Sequence, residues 1–126
     1  MPNAPRKNAS KRRATGARTR VRAHYSVYVI ELDARVWNHA RFRRANAQHD
    51  LTRPCVYVGM TGLPVEERFA NHRRGLRSNS YVTRYGVRLL PGLYQRLNPM
   101  GYALARLTEV TLAQRLRADG YAVWQA

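Results

Sequence analysis

The chain has 126 residues, of which 44% are hydrophobic, and a net charge of +16 from 23 Lys and Arg against 7 Asp and Glu. This length suits one domain with a small core and excludes two full domains. No apolar run approaches the roughly 18 residues of a membrane-spanning helix, and no secretory hydrophobic region follows the basic start. The single cysteine, Cys55, excludes an internal disulfide and a cysteine-based zinc cluster, which favours a reducing, cytoplasmic compartment.

The excess of basic residues predicts a polyanionic partner, and nucleic acid is the most frequent one. A codon bias toward GC-rich triplets is an alternative explanation for the use of arginine over lysine. Such a bias does not easily explain the shortage of acidic residues. The sequence leaves the choice between a monomer and a dimer open.

Residues 1–23 form a basic tail without acidic residues, and we expect this tail to be disordered in isolation. Its basic residues, which include Arg12 and Arg13, are suited to non-specific, salt-sensitive contacts with phosphates. A solubilising tail and an organellar transit peptide are the alternatives. The remainder, residues 24–126, still carries more basic than acidic residues, so the predicted domain is basic in its own right.

The first predicted strand covers residues 24–32, HYSVYVIEL, in which β-branched and aromatic residues dominate. Apolar groups occur on both faces, which is typical of a central strand. By alternation, Tyr28 shares a face with Ser26 and Ile30.

Residues 33–54 form a basic insertion between the first two strands, and a connection of this length is usually functional or mobile. Arg41, Arg43 and Arg44 are suited to contacts with a nucleic-acid backbone, and Phe42 beside them is suited to stacking on a base. The alternative is a solvated flap that Trp37 and Phe42 pack down.

The second predicted strand covers residues 55–59, CVYVG, and Gly59, Thr61 and Gly62 predict a turn after it. A helix follows, starting near Pro64 and stopping at Gly75. One turn apart on this helix, Arg68 and His72 lie at the edge of the core-facing stripe. Arg68 there requires an anionic partner, either a carboxylate or a phosphate of a ligand. For His72, a packed and hydrogen-bonded imidazole is the alternative to a functional one. Arg73 and Arg74 follow as candidate phosphate contacts.

The best helix of the chain covers residues 102–119 and ends at Gly120, and residues 121–125 predict a closing strand. Ala105, Leu112 and Leu116 fall within about 60° of Glu109 on the helical wheel. A carboxylate on an apolar face needs a cation, which is either an arginine such as Arg68 or a metal ion. Short helical pieces and turns occupy residues 79–100. The order of elements predicts an α/β (α+β) fold with a small sheet flanked by helices.

The polar groups near predicted core surface form a set: Tyr28, Tyr57, Arg68, His72 and Glu109. The chain has no serine nucleophile elbow, no phosphate-loop pattern and no paired histidines for zinc. One carboxylate suits Mg²⁺, which keeps most of its waters and binds substrate phosphates. With the basic composition, this set indicates phosphodiester chemistry on nucleic acid.

The segments SVYVI (26–30) and VYVG (56–59), followed by Arg68, His72 and Glu109, resemble the GIY-YIG nuclease superfamily. The resemblance covers about residues 24–125. It implies a three-stranded, mostly antiparallel sheet surrounded by helices, and metal-dependent cleavage of nucleic acid with Mg²⁺ or Mn²⁺. DNA is the expected substrate.

The resemblance also implies the roles of the matching residues. Tyr28 and Tyr57 match the tyrosines of the two triplets, one of which helps to activate a water. Arg68 would stabilise charge on the phosphate, His72 would assist proton transfer or orient a tyrosine, and Glu109 would hold the metal. Gly59 matches the glycine that lets the chain pass close to the site.

The chain also departs from the family pattern. Ser26 stands in place of the first motif's glycine, and the long insertion separates the two triplets. Gly120 and Tyr121 stand where some members carry an asparagine, for which Asn79 is a candidate substitute. The predicted function is therefore an endonuclease, with two alternatives: a non-catalytic nucleic-acid-binding module on the same fold, and a basic structural protein that needs no site.

Overall fold

The computed structural model describes residues 23–126, and the predicted tail with Arg12 and Arg13 lies outside the described residues except for Ala23. The described chain forms one sheet flanked by helices, which confirms the predicted α/β (α+β) class. The strands are β1 (Ser26–Leu32), β2 (Cys55–Thr61), β3 (Gly86–Leu89) and β4 (Ala122–Gln125), and the α-helices are α1 (Ala40–Arg44), α2 (Val65–Arg74), α3 (Ser80–Tyr85) and α4 (Tyr102–Ala118). None of the helices in residues 23–126 is both long enough and apolar enough to cross a membrane.

The sheet has the strand order β3-β1-β2-β4. β1 pairs antiparallel with both β2 and β3, and β4 pairs parallel with β2. The prediction of three strands is therefore corrected to four. The additional strand, β3, has only four residues and lies at the edge of the sheet between a helix and the Pro91-Gly92 turn. Its pairing with β1 is a tertiary contact that a run so short does not reveal in the sequence.

β1 and β2 are the central strands, and both are apolar on their two faces. Val27, Val29, Val56 and Val58 are each fully buried. The antiparallel register places Tyr28 opposite Gly59 and Ile30 opposite Tyr57. Because partners in register point to the same face and residues two apart do as well, Tyr28 and Tyr57 share one face of the sheet.

Local signals explain where the helices begin and end. α2 stops at Gly75, whose φ of 78° is left-handed, as the sequence predicts. α3 is capped by the Asn79 side chain, which accepts a hydrogen bond from the Tyr81 N–H at 2.9 Å. α4 packs against β4, β2 and β1 and buries the predicted face of Ala105, Glu109 and Leu116.

The connection between β1 and β2 is ordered and belongs to the fold. It forms a 3-10 helix (Ala34–Asn38) and α1, and it buries Phe42 completely. Asn46 is also fully buried. Its side chain accepts a hydrogen bond from the Val123 N–H at 2.6 Å and donates to the carbonyls of Val123 at 3.1 Å and Phe42 at 2.9 Å. The connection therefore covers the outer edge of β4. Most of its side chains are exposed while Phe42 is buried with Trp37 packed against it, which confirms the alternative of a flap that Trp37 and Phe42 pack down.

Candidate active site

Two tyrosines from the central strands form the floor of the candidate site. The ring centroids of Tyr28 and Tyr57 lie 6.2 Å apart, and both residues are almost completely buried. A Cβ atom at Gly59 would lie 2.6 Å from the Tyr28 hydroxyl oxygen and 2.7 Å from its Cζ atom. The absence of a side chain at Gly59 thus provides the space that the Tyr28 ring occupies. Gly59 lies within β2, so its predicted place in a turn is wrong.

His72 of α2 lies over the two tyrosines. Its ring centroid is 6.0 Å from that of Tyr28 and 5.4 Å from that of Tyr57, and its side chain is fully buried. The backbone N–H of Asn79 donates to Nδ1 at 3.4 Å, and Nε2 lies 2.9 Å from the Tyr28 hydroxyl. In a neutral imidazole that accepts at Nδ1, the hydrogen is on Nε2, which then donates to the Tyr28 oxygen. Burial, together with nearby Arg68, lowers the pKa of His72 to about 4, so the imidazole is neutral at pH 7.

Burial also dominates the ionisation of the tyrosines. It raises the pKa of Tyr57 to about 12, against the opposing effect of Arg68. Burial and the neighbouring Tyr57 raise the pKa of Tyr28 further, and Arg68 again opposes them. Glu109 disfavours the phenolate of both tyrosines. Arg68 and Glu109 therefore lie within electrostatic range of both hydroxyl groups, and the five predicted catalytic residues converge.

The Arg68 guanidinium is held by the loop that follows α2. Nη2 donates to the carbonyl of Arg77 at 2.7 Å, and Nη1 donates to that of Leu76 at 3.3 Å. Arg77 has a φ of 47°, an uncommon conformation for a residue with a side chain. Because a guanidinium has five N–H donors, this arrangement orients Arg68 and leaves donors for an anionic ligand. Arg68 also lines a cleft of about 430 Å³ with Thr61, Asn71 and Arg77.

Glu109 is buried and lacks a full set of partners. Only 7% of its surface is exposed, and its Oε2 atom has no hydrogen-bond partner within residues 23–126. It forms no ion pair among these residues, so a buried pair with Arg68 does not form there. Burial raises the pKa of Glu109, while Gln125 and Arg106 act in the opposite direction. The site therefore contains a buried carboxyl group that carries a proton or, when ionised, is stabilised by a cation.

The oxygen donors of the site suit only one kind of divalent-metal centre. In the described part of the chain, no three His, Cys, Asp or Glu side chains cluster as metal ligands. Once ionised, the orphaned Oε2 atom of Glu109 would be a single anionic oxygen donor. Such a donor fits Mg²⁺ or Mn²⁺ when water and substrate phosphate complete the coordination, and it does not fit a protein-only cage. The Asn79 side chain caps α3 through its Oδ1 atom, and its part as a substitute for the family's asparagine stays a prediction.

The predicted nucleic-acid contacts do not all converge on this site. Arg73 and Arg74 are exposed at the end of α2, where Arg73 lies over the Phe69 ring and Arg74 donates to Asn71. Arg43 donates to the carbonyl of Trp37, and Arg44 is exposed. Arg41 lies over the ring of Trp124 in β4, at 5.4 Å. The burial of Phe42 contradicts its predicted stacking on a base.

Two residues near the site, Trp124 and Arg77, were not predicted from the sequence. Trp124 pairs in register with Tyr57, so the two side chains share a face of the sheet. Alternation within residues 121–125 predicts which of these side chains share a face. Only the parallel pairing of β4 with β2 shows that Trp124 lies on the face of Tyr57. Arg77 carried no signal, because its role depends on its carbonyl and on its backbone conformation.

Comparison with family models, curated protein sequences and solved structures found no match.

Proposed function

We propose that the protein is a metal-dependent endonuclease that hydrolyses phosphodiester bonds, with DNA as its substrate. The observation that carries this proposal is the buried Glu109 carboxyl group, with one oxygen unpartnered in the described residues, in electrostatic range of Tyr28 and Tyr57. The net charge of +16 supports a polyanionic substrate. The resemblance of the motifs to GIY-YIG nucleases supports the same reaction.

Arg68 provides electrostatic stabilisation. Two of its N–H donors bind backbone carbonyls of the following loop, which fixes the guanidinium without neutralising its charge. The remaining donors are available to the oxygens of a phosphate, whose charge increases as water attacks. Because the loop orients the group before the substrate binds, little reorganisation is needed during the reaction.

The tyrosines and His72 form an oriented proton network. His72 donates from Nε2 to the Tyr28 oxygen, so the hydroxyl hydrogen of Tyr28 points elsewhere, and the same donation stabilises a Tyr28 phenolate. Burial disfavours that phenolate, whereas Arg68 favours it. For general-base catalysis a tyrosine of this site would first release its hydroxyl proton to solvent, with Arg68 and the donation from His72 stabilising the phenolate. The phenolate would then orient the attacking water and accept its proton as the new bond to phosphorus forms and the bond to the leaving oxygen breaks.

Glu109 would hold the divalent ion, which when bound supplies Lewis-acid polarisation of the phosphate and shielding of the leaving oxygen. Glu109 must be ionised for this role. Its burial opposes ionisation until a cation is present, so binding of the metal and loss of the carboxyl proton are coupled.

The test is a cleavage and nicking assay across single-stranded, duplex, nicked and branched DNA, with and without Mg²⁺ or Mn²⁺. Glu109→Ala is expected to abolish metal-dependent cleavage while the domain stays folded by circular dichroism. Glu67→Ala, which removes an exposed glutamate from the first turn of α2, is the matched control and is expected to cleave as the wild type does. No cleavage of any DNA or RNA by the wild type in either metal would refute the proposal.

The second candidate is a non-catalytic nucleic-acid-binding module. The raised pKa values of both tyrosines favour it, because neither hydroxyl is a ready base in the free protein. It predicts salt-sensitive binding that Glu109→Ala and Arg68→Ala leave almost unchanged, and this outcome distinguishes it from the nuclease.

A further inference from the structure

A second cleft lies beside the candidate active site, on the side of β4. It has a volume of about 450 Å³ and is lined by His39, Arg41, Asn79, Ser80, Tyr81, Arg84 and Trp124. We call it the arginine–tryptophan cleft. Two of its lining residues are arginines, both exposed, and none is acidic. By contrast, the depression lined by Trp37, His49 and Arg53 also includes the carboxylates of Glu31 and Asp33, which disfavour a phosphate.

The aromatic part of this cleft is held in place before any ligand binds. The ring of Phe42 is stacked against that of Trp124 with centroids 6.3 Å apart. Tyr81 contacts the Trp124 ring edge-to-face at 5.1 Å. The Arg41 guanidinium lies over Trp124 at 5.4 Å. Guanidinium and indole planes are both stacking surfaces for a nucleobase, and a fixed indole loses little side-chain freedom when a base binds.

The cationic part of the cleft comes from two different elements. Arg41 belongs to α1 and Arg84 to α3, so the fold brings together two cations that are distant in the sequence. Arg84 lies over the ring of Tyr85, at 5.1 Å, and the Tyr85 hydroxyl is 2.8 Å from Nε2 of His39. Neither arginine forms an ion pair with a carboxylate among residues 23–126. Both charges therefore remain available to an anionic ligand.

The cleft is directly connected to the candidate active site. Asn79 lines the cleft, and its backbone N–H donates to Nδ1 of His72. Trp124 is the register partner of Tyr57. The cleft that contains Arg68 is lined by Leu76 and Arg77 of the same short loop, residues 75–79, to which Asn79 belongs. One loop thus contributes to both basic clefts.

We propose that the arginine–tryptophan cleft binds one nucleotide of a nucleic-acid strand next to the scissile phosphate, with its base on the Trp124–Arg41 surface and its phosphate at Arg41 and Arg84. This inference rests on the proposed function, because it extends the same substrate into a neighbouring subsite. The ligand class is a nucleotide with an unpaired base, since a base within a duplex does not offer its face for stacking. The substrate would therefore be single-stranded or locally unpaired on this side of the cut.

The test measures binding without metal, so that it is independent of cleavage. The full chain carries a Trp37→Phe substitution, which leaves Trp124 as the single tryptophan. A thymidine oligonucleotide of about 12 nucleotides, in EDTA, is expected to quench Trp124 emission on saturation. An abasic oligonucleotide of the same length keeps the phosphates and is expected to bind without this quenching.

Arginine substitutions provide a second measurement by fluorescence anisotropy. Arg41→Gln with Arg84→Gln is expected to weaken binding of the thymidine oligonucleotide by about tenfold or more. The slope of log affinity against log salt is expected to decrease by about 0.7 for each phosphate that the double variant no longer neutralises. Arg96→Gln removes an exposed arginine outside the cleft and is expected to change the affinity by less than about threefold.

Trp124 emission that stays unchanged at saturation, or a double arginine variant that binds like Arg96→Gln, would overturn the proposal. This failure is distinct from failure of the nuclease proposal. If cleavage depends on Glu109 but Trp124 emission is not quenched, only the nucleotide-binding proposal for the cleft is refuted. If Trp124 emission is quenched but no cleavage occurs, nucleotide binding in the cleft is supported and the nuclease proposal is refuted.

Discussion

Gly59→Ala is the sharpest test of how the two central strands build the site. Two opposing effects decide its outcome. Alanine restricts the unfolded chain more than glycine does, which alone would stabilise the protein by roughly 0.5–1 kcal/mol. The new Cβ atom, however, would lie 2.6 Å from the Tyr28 hydroxyl oxygen and 2.7 Å from Cζ. Carbon atoms in ordinary contact are about 3.5–4.0 Å apart, so the ring of Tyr28 must move by about 1 Å.

That displacement is costly because Tyr28 is fully packed and its hydroxyl is hydrogen-bonded to His72 at 2.9 Å. Overpacking of this kind costs about 1–3 kcal/mol, and a weakened hydrogen bond adds about 1 kcal/mol. After the favourable entropic effect is subtracted, we expect a net loss of roughly 1–3 kcal/mol. For a domain of this size, the melting temperature would fall by roughly 5–15 °C.

Thermal denaturation followed by circular dichroism measures this loss, and cleavage at a temperature where the variant is folded measures its effect on the site. Gly92→Ala is the control, since a Cβ atom at Gly92 meets nothing within 4 Å. Tyr28→Leu removes the clashing atoms, so Gly59→Ala is expected to cost less in that background. A Gly59→Ala protein that melts and cleaves like the wild type would contradict the reasoning.

Three further predictions concern the edge of the sheet, the histidine and the metal. Asn46→Ala removes three hydrogen bonds of a buried side chain and is expected to destabilise the protein by roughly 2–4 kcal/mol in urea denaturation, whereas Gln48→Ala at an exposed position should cost much less. His72 has a pKa of about 4 in the folded protein and about 6.5 when unfolded. Between these values the unfolded chain binds more protons, so stability should rise by up to about 3 kcal/mol as the pH increases from 4 to 6.5, and His72→Gln should flatten this slope in urea titrations at each pH. Mg²⁺ should raise the melting temperature of the wild type but not that of Glu109→Gln. Without metal, Glu109→Gln is expected to be at least as stable as the wild type, because its neutral amide replaces the buried acidic group. An equal shift of the melting temperature in both proteins would contradict binding of Mg²⁺ at Glu109.

The sequence predicted the parts of the fold that depend on local signals. The stop of α2 at Gly75 and the buried face of α4 each follow from a few neighbouring residues, and the structure confirms them. β3 escaped prediction because its four residues form a strand only by pairing with β1. The role of Phe42 was also open from the sequence, since an aromatic residue among arginines suits a core as well as a base. Only the tertiary contacts with Trp124 and Tyr81 decide it.

In the candidate site, too, the sequence predicts what depends on local periodicity and does not predict what depends on tertiary contacts. The helical positions of Arg68, His72 and Glu109 were readable from periodicity, and their convergence on the tyrosines is seen in the structure. The partner of Arg68 was not readable. Its guanidinium binds two backbone carbonyls, and carbonyls occur at every residue, so no side-chain pattern marks them.

The contact between Asn46 and β4 has a consequence for the behaviour of the protein in concentrated solution. An outer strand presents a row of free N–H and C=O groups, which can recruit a strand from another molecule and start aggregation. Asn46 occupies the N–H and the C=O of Val123, and the backbone of Asp50 and the side chain of Gln48 bind the carbonyls of Gly120 and Tyr121. A version of the chain with a shortened connection would therefore become prone to edge-to-edge self-association, even if the residues of the candidate site were untouched.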